Sequence, residues 1–138
     1  MPGPRLQPGG TRGTLFRDVA RVRWADAGTL LAARRFNGAI YLAGYAVECH
    51  LKHVVCERNA WLYLPVAYET HSWESLVRAA RLTPDLRADG RIFDLYSSLV
   101  ERWGPALRYR TMEYPSPAAE RLYNEIGELY QYLREFSP

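Results

Sequence analysis

The stretch Asn37 to Arg58, NGAIYLAGYAVECHLKHVVCER, decides the fold. At 1.5 Å per residue it makes a helix of roughly 33 Å, long enough to cross a small domain. Ile40, Val47, Leu51 and Val54 share one face, and Leu42, Ala46, Cys49 and Cys56 another. Tyr41, Tyr45, Glu48 and Lys52 form a third strip between them, and only Ala39 and His50 are left pointing elsewhere. A helix apolar on so many sides belongs inside a bundle. Glu48 and Lys52 are therefore ionisable groups on an element with little room for water.

The flanking chain supplies the partners of this helix. Phe16, Ala20, Trp24, Ala27 and Leu31 repeat at three and four, which predicts a first helix starting near Thr14, whose hydroxyl would cap it. Phe36, Asn37 and Gly38 mark a turn too short for anything but an antiparallel neighbour. After Arg58 the stretch NAWLYLPVAYET has no period and reads as a loop with aromatic surface. A short helix follows, capped by Thr70 or Ser72, with Trp73, Leu76, Val77 and Ala80 inward. Thr83 to Asp85 restart the chain, and Ile92, Tyr96, Leu99 and Trp103 make the next stripe, with a break near Gly90. Ser116 as cap and Pro117 at the first helical position announce a last helix with Leu122, Ile126, Leu129, Leu133 and Phe136 inward. The expected architecture is an all-α, up-and-down bundle of four to five helices over residues 14–138, preceded by a flexible arm over 1–13 rich in Gly and Pro.

Composition narrows the function classes. The chain has 138 residues, 48% hydrophobic, enough for one domain with a filled core. No apolar run approaches the ~20 residues that span a bilayer, and the start, MPGPRLQPGG, lacks the apolar segment of a signal peptide, so a cytoplasmic protein without membrane contact is expected. The formal charge of +3 does not by itself indicate nucleic-acid binding. Lys52 is the only lysine among 18 basic residues.

Several groups could carry chemistry. Glu48 and Lys52 are four apart with the acid first, the favourable order for an intrahelical ion pair. They either neutralise each other or, with Tyr41 and Tyr45 beside them, line a groove where Lys52 meets an anion. Cys49 and Cys56 lie about 10 Å apart along the axis, too far for a disulfide. With His53 they resemble a metal box, but three ligands on one straight helix cannot surround a tetrahedral ion, so no metal or other cofactor is expected. His71, just ahead of the short helix, is either a base or anion donor or a hydrogen bond that fixes its loop. Arg108, Tyr109 and Arg110 combine charge with a stacking ring, suited to phosphate or base contacts or to surface ion pairs.

The order of these pieces resembles the HEPN domain family (higher eukaryotes and prokaryotes nucleotide-binding). The residues carrying the resemblance are the short turn at Phe36 to Gly38, the run Ala46-Val47-Glu48-Cys49-His50-Leu51-Lys52, the pair Thr70-His71 and the segment Leu107-Arg108-Tyr109. The resemblance covers Thr14 to Phe136. It implies a helical bundle that commonly dimerises, often beside a small nucleotidyltransferase encoded as its neighbour in a toxin-antitoxin pair, or else a metal-independent ribonuclease. The ribonuclease branch carries an Arg followed after four to six residues by a His, and no histidine of this chain has an arginine at that spacing. The resemblance therefore implies a non-catalytic domain in which Tyr41, Tyr45, Glu48, Lys52, His71, Arg108 and Tyr109 receive a nucleotide or RNA. The alternatives are a protein-interaction module acting through Trp61, Tyr63 and the helix faces, and a ribonuclease with an atypical pair such as His71 and Arg108.

Overall fold

Two long helices pressed side by side make the backbone of the molecule. The computed structural model describes residues 10–138, so most of the expected N-terminal arm lies outside the described residues. Six α-helices follow one another: α1 (Gly13–Ala32), α2 (Phe36–Asn59), α3 (Trp73–Ala79), α4 (Thr83–Ala88), α5 (Gly90–Arg102) and α6 (Ser116–Phe136), with single 3-10 turns at Val66–Tyr68 and Pro105–Tyr109. Among the described residues no helix is long and apolar enough to cross a membrane, and the one β-type pairing is an isolated bridge between Arg12 and Tyr63. The count exceeds the expected four to five because the stretch from Trp73 to Arg102 is broken twice. Arg81 takes a left-handed φ of 55° after α3, and the Asp89 side chain accepts from the Ile92 amide to start α5 as a new helix.

Helix α2 is central, as its composition requires. Ala39, Ile40, Ala43, Ala46, Val47, Cys49, Leu51, Val54 and Val55 are all buried, sandwiched by α1 and α6 and closed at the side by α3 and the Pro105–Tyr109 turn. Burial of that apolar surface, at roughly 25 cal/mol per Å², contributes most of the stabilisation that holds the bundle together. Ala39 and His50, expected to face away, are buried as well. His50 donates through Nε2 to the Ser137 carbonyl at 2.8 Å, and His53 meets the Pro138 carbonyl at 3.2 Å, because the end of α6 lies over that side of α2. Cys49 and Cys56 are free, buried thiols, both pushed up to about 11, chiefly by burial.

Element ends depart from the expected signals where backbone pairing replaces a side-chain cap. Helix α1 begins at Gly13 rather than Thr14, and no side chain caps it. Instead the Gly13 amide donates to the Leu62 carbonyl at 3.1 Å, while the Leu64 amide donates to the Thr11 carbonyl at 2.9 Å. The last residues of the arm are thus paired with the stretch after α2. A side chain at Gly13 would place its Cβ 2.6 Å from that of Cys56, so only glycine allows this approach. The turn between α1 and α2 falls at Ala33 to Arg35, ahead of the expected Phe36 to Gly38. Arg34 supplies the left-handed residue with φ 61°, and Phe36 already begins α2 in the core. Ser116 is the first residue of α6 rather than its cap, and its hydroxyl donates to Glu120. Of the two candidate caps of α3, Ser72 accepts from the Ser75 amide, and Thr70 in turn accepts from the Ser72 amide.

Candidate functional site

The strip Tyr41, Tyr45, Glu48 and Lys52 runs along α2 toward the loop that precedes α3. Glu48 is fully buried, and both of its oxygens are used. Oε2 accepts from Lys52 Nζ at 2.9 Å, and Oε1 accepts from His71 Nδ1 at 3.0 Å. A carboxylate so deep in the core is tolerated because each oxygen has a charged or polar donor. The Lys52 side chain is only 9% exposed, and its ammonium also lies 5.4 Å from the centre of the Phe16 ring. His71 differs, since half of its side chain is exposed. With Nδ1 committed to Glu48, the ring is held in one orientation and its Nε2 has no partner among the described residues.

A file of four rings continues the strip. Tyr45, Tyr41, Trp103 and Trp73 follow one another with centroid separations of 6.2, 6.0 and 5.0 Å and nearly parallel planes. Trp103 lies just beyond α5 and folds back onto α2, where its Nε1 donates to the Ile40 carbonyl at 3.1 Å. Burial pushes the Tyr45 hydroxyl up to about 12, so it stays protonated at neutral pH. At the far end of the file, His71, Ser72, Trp73, Glu74, Val100, Trp103, Gly104 and Pro105 line a cleft of about 170 Å³. The buried indole N–H of Trp73 has no hydrogen-bond partner. With Nδ1–H donated to Glu48, the oriented imidazole presents Nε2 as an acceptor for a ligand N–H or O–H.

The expected site residues separate into two groups. Tyr41, Tyr45, Glu48, Lys52 and His71 form one connected set. Arg108 and Tyr109 do not touch that set: the Arg108 guanidinium stacks 5.4 Å from the centre of the Tyr109 ring, and its Nε donates to the Pro105 carbonyl at 2.9 Å. Tyr109 is 78% exposed. Pro105 lines the His71 cleft, but neither Arg108 nor Tyr109 does. Trp73 and Trp103 are site residues that the sequence pattern assigns only to the core. Their helical spacing signals burial correctly, but nothing in it says that they meet each other. Among the described residues no group of three His, Cys, Asp or Glu is placed to hold a metal ion.

No family model, curated protein or solved structure matches the chain.

Proposed function

We propose that the protein is a HEPN-like bundle that binds a nucleotide or a short RNA segment at the His71 cleft, without itself performing catalysis. The single observation that carries this reading is the buried Glu48 carboxylate, which holds Lys52 on one side and presents the half-exposed His71 imidazole on the other. His71 presents Nε2, an acceptor while Nδ1–H is donated to Glu48, to a base amino group or a ribose hydroxyl, and the ring file beside it provides a flat apolar wall. Arg108 and Tyr109, exposed and tied to Pro105, extend the contact along a strand by charge and stacking. Lys52 holds the carboxylate in place instead of gripping phosphate, because its ammonium is enclosed by Glu48 and Phe16. A second copy of the chain and a nucleotidyltransferase of the toxin-antitoxin type are the partners that go with this reading.

Titration of nucleoside triphosphates and a short single-stranded RNA at low and moderate salt tests it. Saturable binding that weakens with salt, and that falls at least ten-fold in His71→Ala and in Arg108→Ala, is the expected result. Failure of every probe to bind, or binding indifferent to both substitutions, removes the proposal.

The Glu48–His71 contact also favours a second reading, an atypical ribonuclease. An imidazole whose Nδ1 is fixed by a buried carboxylate presents Nε2 for proton transfer, the arrangement that general acid–base catalysis uses. Cleavage of structured RNA by clean protein, abolished in His71→Ala, would establish this activity in place of simple binding; intact RNA after long incubation would dismiss it.

A further inference from the structure

The chain has three histidines, and the fold treats them in two ways. His50 and His53 are each 1% exposed; their Nε2 atoms meet the Ser137 and Pro138 carbonyls, and their Nδ1 atoms are buried. No reagent in solution reaches a ring nitrogen of either. His71 alone faces solvent, with 51% of its side chain exposed.

The attachments of the exposed ring leave one nitrogen for chemistry. Nδ1–H donates to Glu48 Oε1 at 3.0 Å, so in the neutral ring the lone pair that can attack is on Nε2. Glu48 cannot swing away from this contact, because it is fully buried and its Oε2 holds Lys52 Nζ at 2.9 Å. When an electrophile bonds to Nε2, the ring gains positive charge, and a carboxylate fixed against Nδ1–H stabilises it. An imidazole oriented by a third group in this way is an activated nucleophile. The Ser72 side chain lines the same cleft; its oxygen accepts from the Ser75 amide, and its hydroxyl hydrogen remains to donate to an incoming oxygen. Glu74 also lines the cleft, and its charge weakens any anion held there by attraction alone. A covalent bond to Nε2 does not rely on that attraction.

We propose that His71 is a modification site whose Nε2 accepts a phosphoryl group from a phosphoramidate donor, such as the phosphohistidine of a partner protein. The Nε2 lone pair forms the new N–P bond as the donor's own N–P bond breaks. The leaving nitrogen departs with that bond's electron pair and takes up a proton from solvent. Nδ1 keeps its hydrogen and its bond to Glu48 throughout. One N–P bond replaces another, so the step needs no oxidant, metal or further energy source. Glu48 is the positioning residue, and Lys52 holds it in place. This proposal does not depend on a nucleotide in the cleft: a chain that binds none can still carry the phosphoryl group, and a chain that binds one can lack it.

Incubation of the full chain with potassium phosphoramidate at neutral pH tests it, followed by intact mass and phosphorus NMR. One acid-labile phosphoryl group should be added per chain, on Nε2 of His71, at least ten-fold faster than on N-acetylhistidine in the same solution. His71→Gln should take up none. Glu48→Leu/Lys52→Met removes the buried carboxylate together with the ammonium it pairs and leaves the ring exposed, so uptake should slow at least ten-fold. An unchanged circular dichroism spectrum verifies that each variant is folded; should one not fold, the wild-type rate ratio and the position of the phosphoryl group decide alone. The proposal is overturned by any of four outcomes: no uptake, uptake on Nδ1 or on another residue, a wild-type rate no higher than that of N-acetylhistidine, or a folded double variant as fast as the wild type.

Discussion

The Trp103 indole rests on the backbone of Gly44 so closely that a Cβ added there would lie 2.0 Å from Nε1. This contact, with the hydrogen bond from Nε1 to the Ile40 carbonyl, fixes the end of α5 against α2 and completes the ring file from Tyr45 to Trp73. Gly44→Ala must push the indole away, because the helix backbone cannot yield. Overpacking of this kind costs about 1–3 kcal/mol, and with the Cβ only 2.0 Å from the indole the upper part of that range applies, which outweighs the ~1 kcal/mol that alanine gains over glycine inside a helix. Urea unfolding should show the loss, and tryptophan emission should shift as Trp103 leaves its packed position. Unchanged stability would mean that the indole is not seated there.

Glu48 poses a different energetic problem. Replacing it with glutamine keeps the shape but leaves Lys52 enclosed with no opposite charge, and breaking a buried pair from one side costs about 3–5 kcal/mol. Removing both charges in Glu48→Gln/Lys52→Met should restore most of that loss, since a neutral pair of similar volume carries no unpaired ion. His71→Ala leaves the buried Oε1 of Glu48 without its donor and should cost about 1–3 kcal/mol, less than Glu48→Gln. Denaturant titrations of the four proteins decide this. A double variant as unstable as Glu48→Gln alone would show that Lys52 does not depend on the carboxylate.

The fold is legible in the sequence to the extent that it rests on periodicity. The stripes of α1, α2, α5 and α6 turn inward as the three-and-four spacing requires, from Ala20 and Ala27 to Ile126, Leu129 and Leu133, except that Phe136, expected inward, is 37% exposed at the end of α6. What escapes such reading depends on distant partners. His50 faces outward on the wheel of α2, and only the path of α6 puts the Ser137 carbonyl over it. The start of α1 differs from the expected Thr14 cap because its amide is paired with Leu62, almost fifty residues away, not with a neighbouring hydroxyl. In the candidate site, the Glu48–Lys52 pair is visible as an i, i+4 spacing, whereas the 23-residue step to His71 is set by the loop after α2.

Asn37 shows how one polar side chain can organise a segment without regular structure. Its amide donates to the Arg110 and Met112 carbonyls at 3.2 and 3.0 Å, and its Oδ1 accepts from the Tyr114 amide at 3.1 Å. The loop from Arg110 to Tyr114 is thereby tied to the first turn of α2. Asn37→Ala removes all three bonds at once. Because the site is partly exposed and water can replace them, the global cost should be about 1 kcal/mol. The local effect should be larger, with amide exchange at Tyr114 accelerated several-fold and exchange in α1 unaffected. Equal acceleration throughout the chain would show that Asn37 supports the whole fold and not this loop.

The His50 imidazole makes stability depend on pH in a definite direction. Its folded value of about 4 lies below the ordinary 6.5, chiefly because burial penalises the charged ring, with His53 and Arg134 adding to the effect. Between these two values the unfolded chain holds a proton at this position that the native chain does not, so stability rises with pH across the window. It is fully present above about pH 6.5 and is lost progressively as the pH falls toward 4. At ~1.4 kcal/mol per pKa unit the loss amounts to about 3 kcal/mol. Carboxylates titrate over part of the same range, so the measurement is a difference between wild type and His50→Gln, each unfolded in urea at pH 7.5 and at pH 4.5. The variant should be the less stable of the two at pH 7.5, because it loses the ring's fit beneath Ser137, and the gap should close by about 2 kcal/mol or more at pH 4.5. A gap that stays constant between the two pH values would show that His50 does not resist protonation in the folded state.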